Sequence, residues 1–150
     1  MYDVVIDFPK FKLAVNTRDH RVVEIKYLPL SVQSVAAKTP LAERAAKQLE
    51  HYRENPDASF DLPLLIDGSA LERAVWDAMC AIPRGRTRTY GELARELGAD
   101  PRAIGQACGD NRLPIVIPCH RVVAADGIGG YGDLGVEYKR RLLAREGHRL

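Results

Sequence analysis

Two Ser/Thr-x-x-Glu boxes constrain this chain more than any other feature: Ser69 with Glu72, and Thr89 with Glu92. In such a box the hydroxyl accepts the backbone N–H three residues on, and the glutamate reaches back to the cap's own N–H. A helix therefore has to begin at each. Behind the first box runs the apolar stripe Leu71, Val75, Ala78, Met79 and Ile82, which predicts an amphipathic helix stopped by Pro83-Arg84-Gly85. The second box opens a short helix, Tyr90–Leu97, closed by Gly98. Asp100 caps a third helix with Pro101 at its first position. Two short helices joined by a tight glycine turn spell a helix-turn-helix, although two ordinary packed helices fit the same residues. The second of them, Pro101–Cys108, is rich in small residues and can approach another surface closely.

The rest of the chain follows from punctuation. Residues 2–8, 11–17 and 21–28 are β-branched and aromatic runs, broken at Pro9-Lys10 and Arg18-Asp19-His20, and read as an antiparallel meander. Thr39-Pro40 starts a helix reaching about Asn55, with Leu41, Ala45, Leu49 and Tyr52 on one stripe and Pro56 as its stop. Phe60 to Ile66 reads as a further strand. Ile115-Val116-Ile117 reads as a brief buried strand that delivers the chain into Pro118-Cys119-His120-Arg121. Gly127 to Gly132 is a loop, and Glu137 to Arg145 a last amphipathic helix ended by Gly147. The expected fold is α+β. Residues 1–68 form an N-terminal domain of a small antiparallel sheet with a helix. Residues 69–150 form a mostly helical domain holding the helix-turn-helix and Cys119.

Charge separates the halves. Residues 1–68 carry nine Lys/Arg against ten Asp/Glu, residues 69–150 thirteen against ten, and twelve of those thirteen are Arg. Arg forks onto phosphate and stacks on bases, so the bias is mildly suggestive of nucleic acid, while a solvated basic face is the simpler explanation from charge alone. No apolar run approaches the ~20 residues that span a bilayer. The start, Met1-Tyr2-Asp3-Val4, lacks a signal-peptide pattern. Cytoplasmic residence is expected, or nuclear in a eukaryote. Cys80, Cys108 and Cys119 are odd in number and form no Cys-x-x-Cys pair, which argues for reduced thiols without a disulfide framework or zinc finger. The first half has no Cys and only His20 and His51, so no metal is expected.

Cys119 is the candidate for chemistry. It follows a proline and precedes His120 and Arg121, and cationic or proton-accepting neighbours favour the nucleophilic thiolate. A buried structural cysteine is the competing reading. In extended chain adjacent side chains diverge, so a water between Cys119 and His120 is more plausible than a direct bond. Glu146 can orient His120 as carboxylates orient imidazoles in triads. The glycines Gly127, Gly129 and Gly132 satisfy G-x-G-x-x-G, but no strand–turn–helix unit surrounds them, so a dinucleotide site is rejected.

Pro118-Cys119-His120-Arg121-Val122-Val123 resembles the signature of the O6-alkylguanine-DNA alkyltransferases. Arg102-Ala103-Ile104-Gly105, Asn111, Pro114, Ile115-Val116-Ile117 and Leu142-Leu143-Ala144-Arg145-Glu146-Gly147 fall in that family's order, so the resemblance covers roughly residues 70–150. It implies direct-reversal repair with base flipping. The alkyl group of O6-alkylguanine, and of O4-alkylthymine, passes irreversibly to Cys119, once per molecule and without a cofactor. It implies that His120 takes the thiol proton through a water, that Glu146 holds His120, and that Asn111 braces the turn before the cysteine. Tyr90 would donate to guanine N3. Arg102 would fill the space of the flipped nucleotide, and Ala103, Gly105, Thr89 and Gln106 would meet the DNA. Pro114, Val122, Tyr131, Gly132 and Asp133 would line the substrate pocket, with the carbonyls of Cys119 and Val122 reading the guanine amino group. The implied partner is double-stranded DNA bearing the lesion, met by a monomer with no membrane contact. The chain departs from the family in a shorter stretch between Tyr90 and Arg102, and in a loop reading Gly130-Tyr131-Gly132-Asp133-Leu134-Gly135. Two other readings differ in testable ways: a non-catalytic damage binder, whose relatives replace the acceptor cysteine, and a cysteine hydrolase, which needs a base beyond His20, His51 and His148.

Overall fold

The computed structural model describes residues 1–131 and 136–147. The chain divides into two compact units, Met1–Ile66 and Asp67 onward.

The first unit opens with β1 (Val4–Phe8), β2 (Phe11–Arg18) and β3 (Arg21–Leu28), paired antiparallel in chain order. Val4 faces Val15 and Phe8 faces Phe11 across the first pair. Asp19 and His20, at φ 52° and 63°, make the two-residue turn between β2 and β3. Both being left-handed matches the twist of the hairpin they join. Helix α1 (Pro40–Glu54) starts where the Thr39 hydroxyl accepts the Ala42 N–H, with Pro40 in the first turn. It buries Ala42, Ala45, Ala46, Leu49 and Tyr52. The strand expected at Phe60–Ile66 is not formed. One parallel bridge, Val22 to Leu64, is all that pairs there. Pro63 has no N–H to donate, so its carbonyl accepts from Val22 and no ladder can extend through it.

In the second unit both capping boxes are complete. Glu72 N–H meets Ser69 Oγ at 3.1 Å and Ser69 N–H meets Glu72 Oε1 at 2.9 Å; the Thr89–Glu92 pair repeats this at 3.0 and 2.9 Å. They open α2 (Ala70–Cys80) and α3 (Tyr90–Leu97). Gly98, at φ 65° and ψ 39°, ends α3 in the left-handed conformation that glycine adopts without steric cost. Asp100 Oδ1 accepts the Arg102 N–H and starts α4 (Pro101–Gly109). The α2 stripe rotates from the expected one: Leu71 is exposed, and Trp76 is buried with its indole N–H on the Ala107 carbonyl at 2.9 Å. Val75, Trp76, Met79, Leu93, Ile104, Leu142 and Leu143 make the core of this unit. Each large member contributes about 1.5–3 kcal/mol by burial.

The strand expected at Ile115–Ile117 is a turn. Pro114 and Ile117 bridge each other, Ile117 N–H meets the Leu113 carbonyl at 2.9 Å, and Ile115 sits at φ 74°. That conformation costs a β-branched residue of order 1–3 kcal/mol and persists only where the surroundings impose it. The chain then enters a 3-10 turn, Cys119–Arg121, and a two-residue strand β5 (Val122–Val123) parallel to β4 (Arg88–Thr89). Helix α5 (Val136–Arg145) completes the unit, with Gly147 at φ 86°. No described helix is long and apolar enough to cross a membrane.

Candidate active site

Asn111 holds the strained turn. Its Nδ2 donates to the Ile117 carbonyl and its Oδ1 accepts the Leu113 N–H, both at 2.9 Å. The turn so fixed sets the start of the 3-10 helix, where Cys119 N–H meets the Ile117 carbonyl at 2.8 Å. Cys119 is buried, and its Sγ lies 3.9 Å from the Tyr131 hydroxyl. Burial pushes its thiol pKa up, opposed by hydrogen bonds from Asn111 and Tyr131 and by the charge of Lys139. The resting sulfur is therefore a thiol, not the thiolate expected from its neighbours in sequence. Ionisation has to be coupled to a base.

That base is built into the same turn. His120 is fully buried and its Nε2 meets Glu146 Oε2 at 2.8 Å. Its Nδ1 has no hydrogen-bond partner among the described residues. Desolvation, helped by the charges of Arg121 and Lys139, lowers the His120 pKa against the pull of Glu146, so the ring is neutral and Nδ1 can accept a proton. Glu146 is buried, accepts Arg121 Nε at 2.9 Å and Nη2 at 3.0 Å, and takes Arg84 Nη1 on its carbonyl at 2.8 Å. Arg121 Nη1 also donates to the Ile82 carbonyl at 2.7 Å.

Lys139 has no counterpart in the sequence reading. It is fully buried on α5, and its Nζ donates to the Gly130 carbonyl at 2.9 Å and to the Tyr90 hydroxyl at 3.4 Å. Burial lowers its pKa to about 8, although Cys108 and Cys119 pull the other way. Tyr90 Oη also approaches the Gly130 carbonyl at 3.4 Å, and burial, then Cys108 and Cys119, raise its pKa to about 12. Tyr90 thus remains a hydroxyl. An ammonium has no acceptor, so Tyr90 accepts from Lys139 and donates its own proton to the Gly130 carbonyl. A signal was available: Lys139, Leu142, Leu143 and Glu146 fall at i, i+3, i+4 and i+7, the buried stripe of the last helix.

The remaining expected residues fall into three groups. The α4 residues face outward. The Arg102 side chain is 94% exposed, Gln106 is exposed, and Ala103 and Gly105 are half-buried. The Thr89 hydroxyl is occupied by its capping bond. Pro114, Val122 and Tyr131 are buried near the cysteine turn, and the Cys119 carbonyl takes the Val122 N–H, leaving it one further lone pair. Gly132 and Asp133 lie outside the described residues, as does His148.

A helix-turn-helix and a cysteine buried beside an imidazole–carboxylate pair define a class of protein that brings a thiol to nucleic acid. Comparison with known proteins narrows the class. Residues 70–148 match the family described as 6-O-methylguanine DNA methyltransferase, DNA binding domain. A methylated-DNA–protein-cysteine methyltransferase of Candida albicans is 38% identical over 141 residues, 91% of this chain and 80% of that protein. The crystal structure of Mycobacterium tuberculosis OGT in complex with DNA superposes with a TM-score of 0.81 at 35% identity, over 95% of this chain and 90% of that one. The M. tuberculosis O6-methylguanine methyltransferase gives 0.82 at 32% identity, over 100% and 95%. The chain belongs to the methylated-DNA–protein-cysteine methyltransferase family.

Proposed function

We propose that this protein repairs DNA by moving the alkyl group of O6-alkylguanine, and of O4-alkylthymine, onto Cys119, once per molecule. The observation that carries this reading is the pairing of a protonated, buried Cys119 with a neutral His120 whose Nδ1 is unsatisfied and whose Nε2 is anchored on Glu146. The thiol proton passes to Nδ1 through a water, and the sulfur attacks the alkyl carbon. The S–C bond forms as the O6–C bond breaks, and guanine leaves with its negative charge met by the Tyr90 hydroxyl. Such acid assistance is worth roughly 10²–10⁴-fold. The product is a thioether, which no group of the site can hydrolyse, so the molecule is spent.

An O6-alkyl carbon stacked in a duplex cannot be attacked in line, so the base is extruded. Arg102, at the exposed start of α4, fills the space it leaves. A Cβ at Gly105 would meet nothing of the protein within 4 Å, so the protein's own packing does not call for glycine there. Close approach of a DNA backbone does. In this account residues 69–150 bind DNA and perform the transfer, residues 1–68 form a separate α/β domain, and the protein works as a monomer in the cytoplasm, or the nucleus of a eukaryote.

The test is Cys119→Ser with duplex DNA carrying O6-methylguanine. Transfer is expected to vanish while DNA affinity stays within a few-fold. A variant that still transfers, or a folded one that no longer binds, contradicts the reading.

A further inference from the structure

Beyond the residues already given a role, Arg121 stands out because it spends its guanidinium on the site's base and not on solvent. It shares the 3-10 turn with Cys119 and His120, so three consecutive residues supply the sulfur, the imidazole and a clamp on the imidazole's partner. The clamp is a fork: Nε on Glu146 Oε1 at 2.9 Å and Nη2 on Oε2 at 3.0 Å, while Nη1 fastens to the Ile82 carbonyl at 2.7 Å, beyond the end of α2. Oε2 is the oxygen that also meets His120 Nε2.

The polarity of these contacts is restrictive. A guanidinium donates only and does not lose its proton in a protein. With both carboxyl oxygens already receiving its N–H groups, a proton on Glu146 would point at a donor. Glu146 is therefore a carboxylate, and a carboxylate can only accept, so the hydrogen between it and His120 belongs to Nε2. The lone pair is left on Nδ1, the atom without a partner. The geometry points to Arg121 as a positioning residue that fixes the His120 tautomer and stops the thiol's proton at His120 by denying it to Glu146. This rests on the reading of Cys119 and His120 given above.

Among the described residues, Arg121 of the turn and Lys139 of α5 act on His120 together with Glu146, and Arg84 donates to the Glu146 carbonyl, while the fork on the carboxylate comes from Arg121. Without Arg121 a carboxylate at that depth takes up a proton more readily. The neutral acid can then donate to His120 Nε2, which shifts the ring hydrogen to Nδ1 and leaves nothing to receive the thiol proton.

The first measurement uses the unsubstituted, unreacted protein without DNA. Imidazole ¹⁵N–¹H correlations at pH 7 are expected to show His120 protonated at Nε2 and bare at Nδ1. An Nδ1–H tautomer overturns the proposal, and it does so even if alkyl transfer proves normal. The second follows the pH dependence of alkyl transfer in Arg121→Met and Arg121→Lys, each checked for folding. In Arg121→Met the acid limb is expected to move up by at least about one pH unit, a tenfold loss on that limb that recovers at alkaline pH. Arg121→Lys keeps the charge and is expected to leave the limb in place at a lower rate. A folded Arg121→Met with an unmoved limb, or an Arg121→Lys limb displaced as far as that of Arg121→Met, overturns it. Should Arg121→Met fail to fold, the tautomer and the lysine variant still decide.

Discussion

Replacing Lys139 with methionine is expected to make the protein more stable and slower at the same time. The side chain is fully buried and its ammonium is costly: the pKa falls from the ordinary 10.5 to about 8. At 1.36 kcal/mol per pH unit that fall amounts to about 3 kcal/mol against the folded state at neutral pH. Screening by nearby polar groups removes part of it. Methionine also leaves the Gly130 carbonyl without its 2.9 Å donor, at about 1 kcal/mol. The net expectation is a gain of about 1–2 kcal/mol, and Tm rises about 2–4 °C per kcal/mol at this size. The sign with pH is definite. Because the folded pKa lies below the unfolded one, the cost is fully present below pH 8. Between pH 8 and 10.5 the unfolded chain holds the proton and the folded one does not, so wild-type stability rises across that window. The variant lacks this rise. Activity moves the other way, because methionine no longer donates to the Tyr90 hydroxyl and so no longer fixes its orientation. The rate of transfer should fall by at least about tenfold, part of the 10²–10⁴ available to acid assistance. Denaturant unfolding at pH 7 and 9.5, with single-turnover rates on methylated duplex, reads both arms. A variant less stable than wild type at pH 7, or one that is stabilised and equally fast, would refute the reasoning.

Two further substitutions probe the DNA face and the tyrosine. Arg102→Ala is expected to slow transfer from duplex DNA far more than transfer from free O6-benzylguanine, because only the duplex has a gap to fill; equal losses on both substrates would remove Arg102 from that role. Gly129→Ala places a Cβ 3.0 Å from Tyr90 Cε2 and 3.1 Å from the Ala124 nitrogen, at φ 75°. Tyr90 has to shift, so transfer should slow more than tenfold at a stability loss of about 1–3 kcal/mol; normal rates in a folded variant would show that the position of Tyr90 is not limiting.

What the sequence made legible was whatever is decided within a few residues. Ser69–Glu72, Thr89–Glu92, Thr39-Pro40 and Asp100-Pro101 each satisfy their own backbone groups, so the starts of α1 to α4 fall where the residues put them. What depends on distant partners was not legible. Phe60–Ile66 has strand-like residues, but β3 gives it one bridge and Pro63 stops the ladder. Ile115–Ile117 is apolar enough for a strand, yet Asn111 ties its two sides together and forces Ile115 left-handed. The pairing of β4 with β5 is between segments of two residues each, too short to carry a pattern. The Cys119–His120–Glu146 arrangement was readable from a family resemblance. The neutrality of its thiol was not, because it follows from burial. The burial of Lys139 is not legible, because a lysine on a helix is expected to face water.

In the proposed reaction Cys119 is the acceptor and is consumed. Intact-protein and peptide mass analysis after incubation with excess duplex containing O6-methylguanine tests it most directly. One methyl mass per chain, confined to the peptide holding Cys119, with transfer ceasing when every chain is modified, is the result expected. Methylation at Cys80 or Cys108, more than one methyl per chain, or continued loss of lesions after Cys119 is fully modified would contradict it.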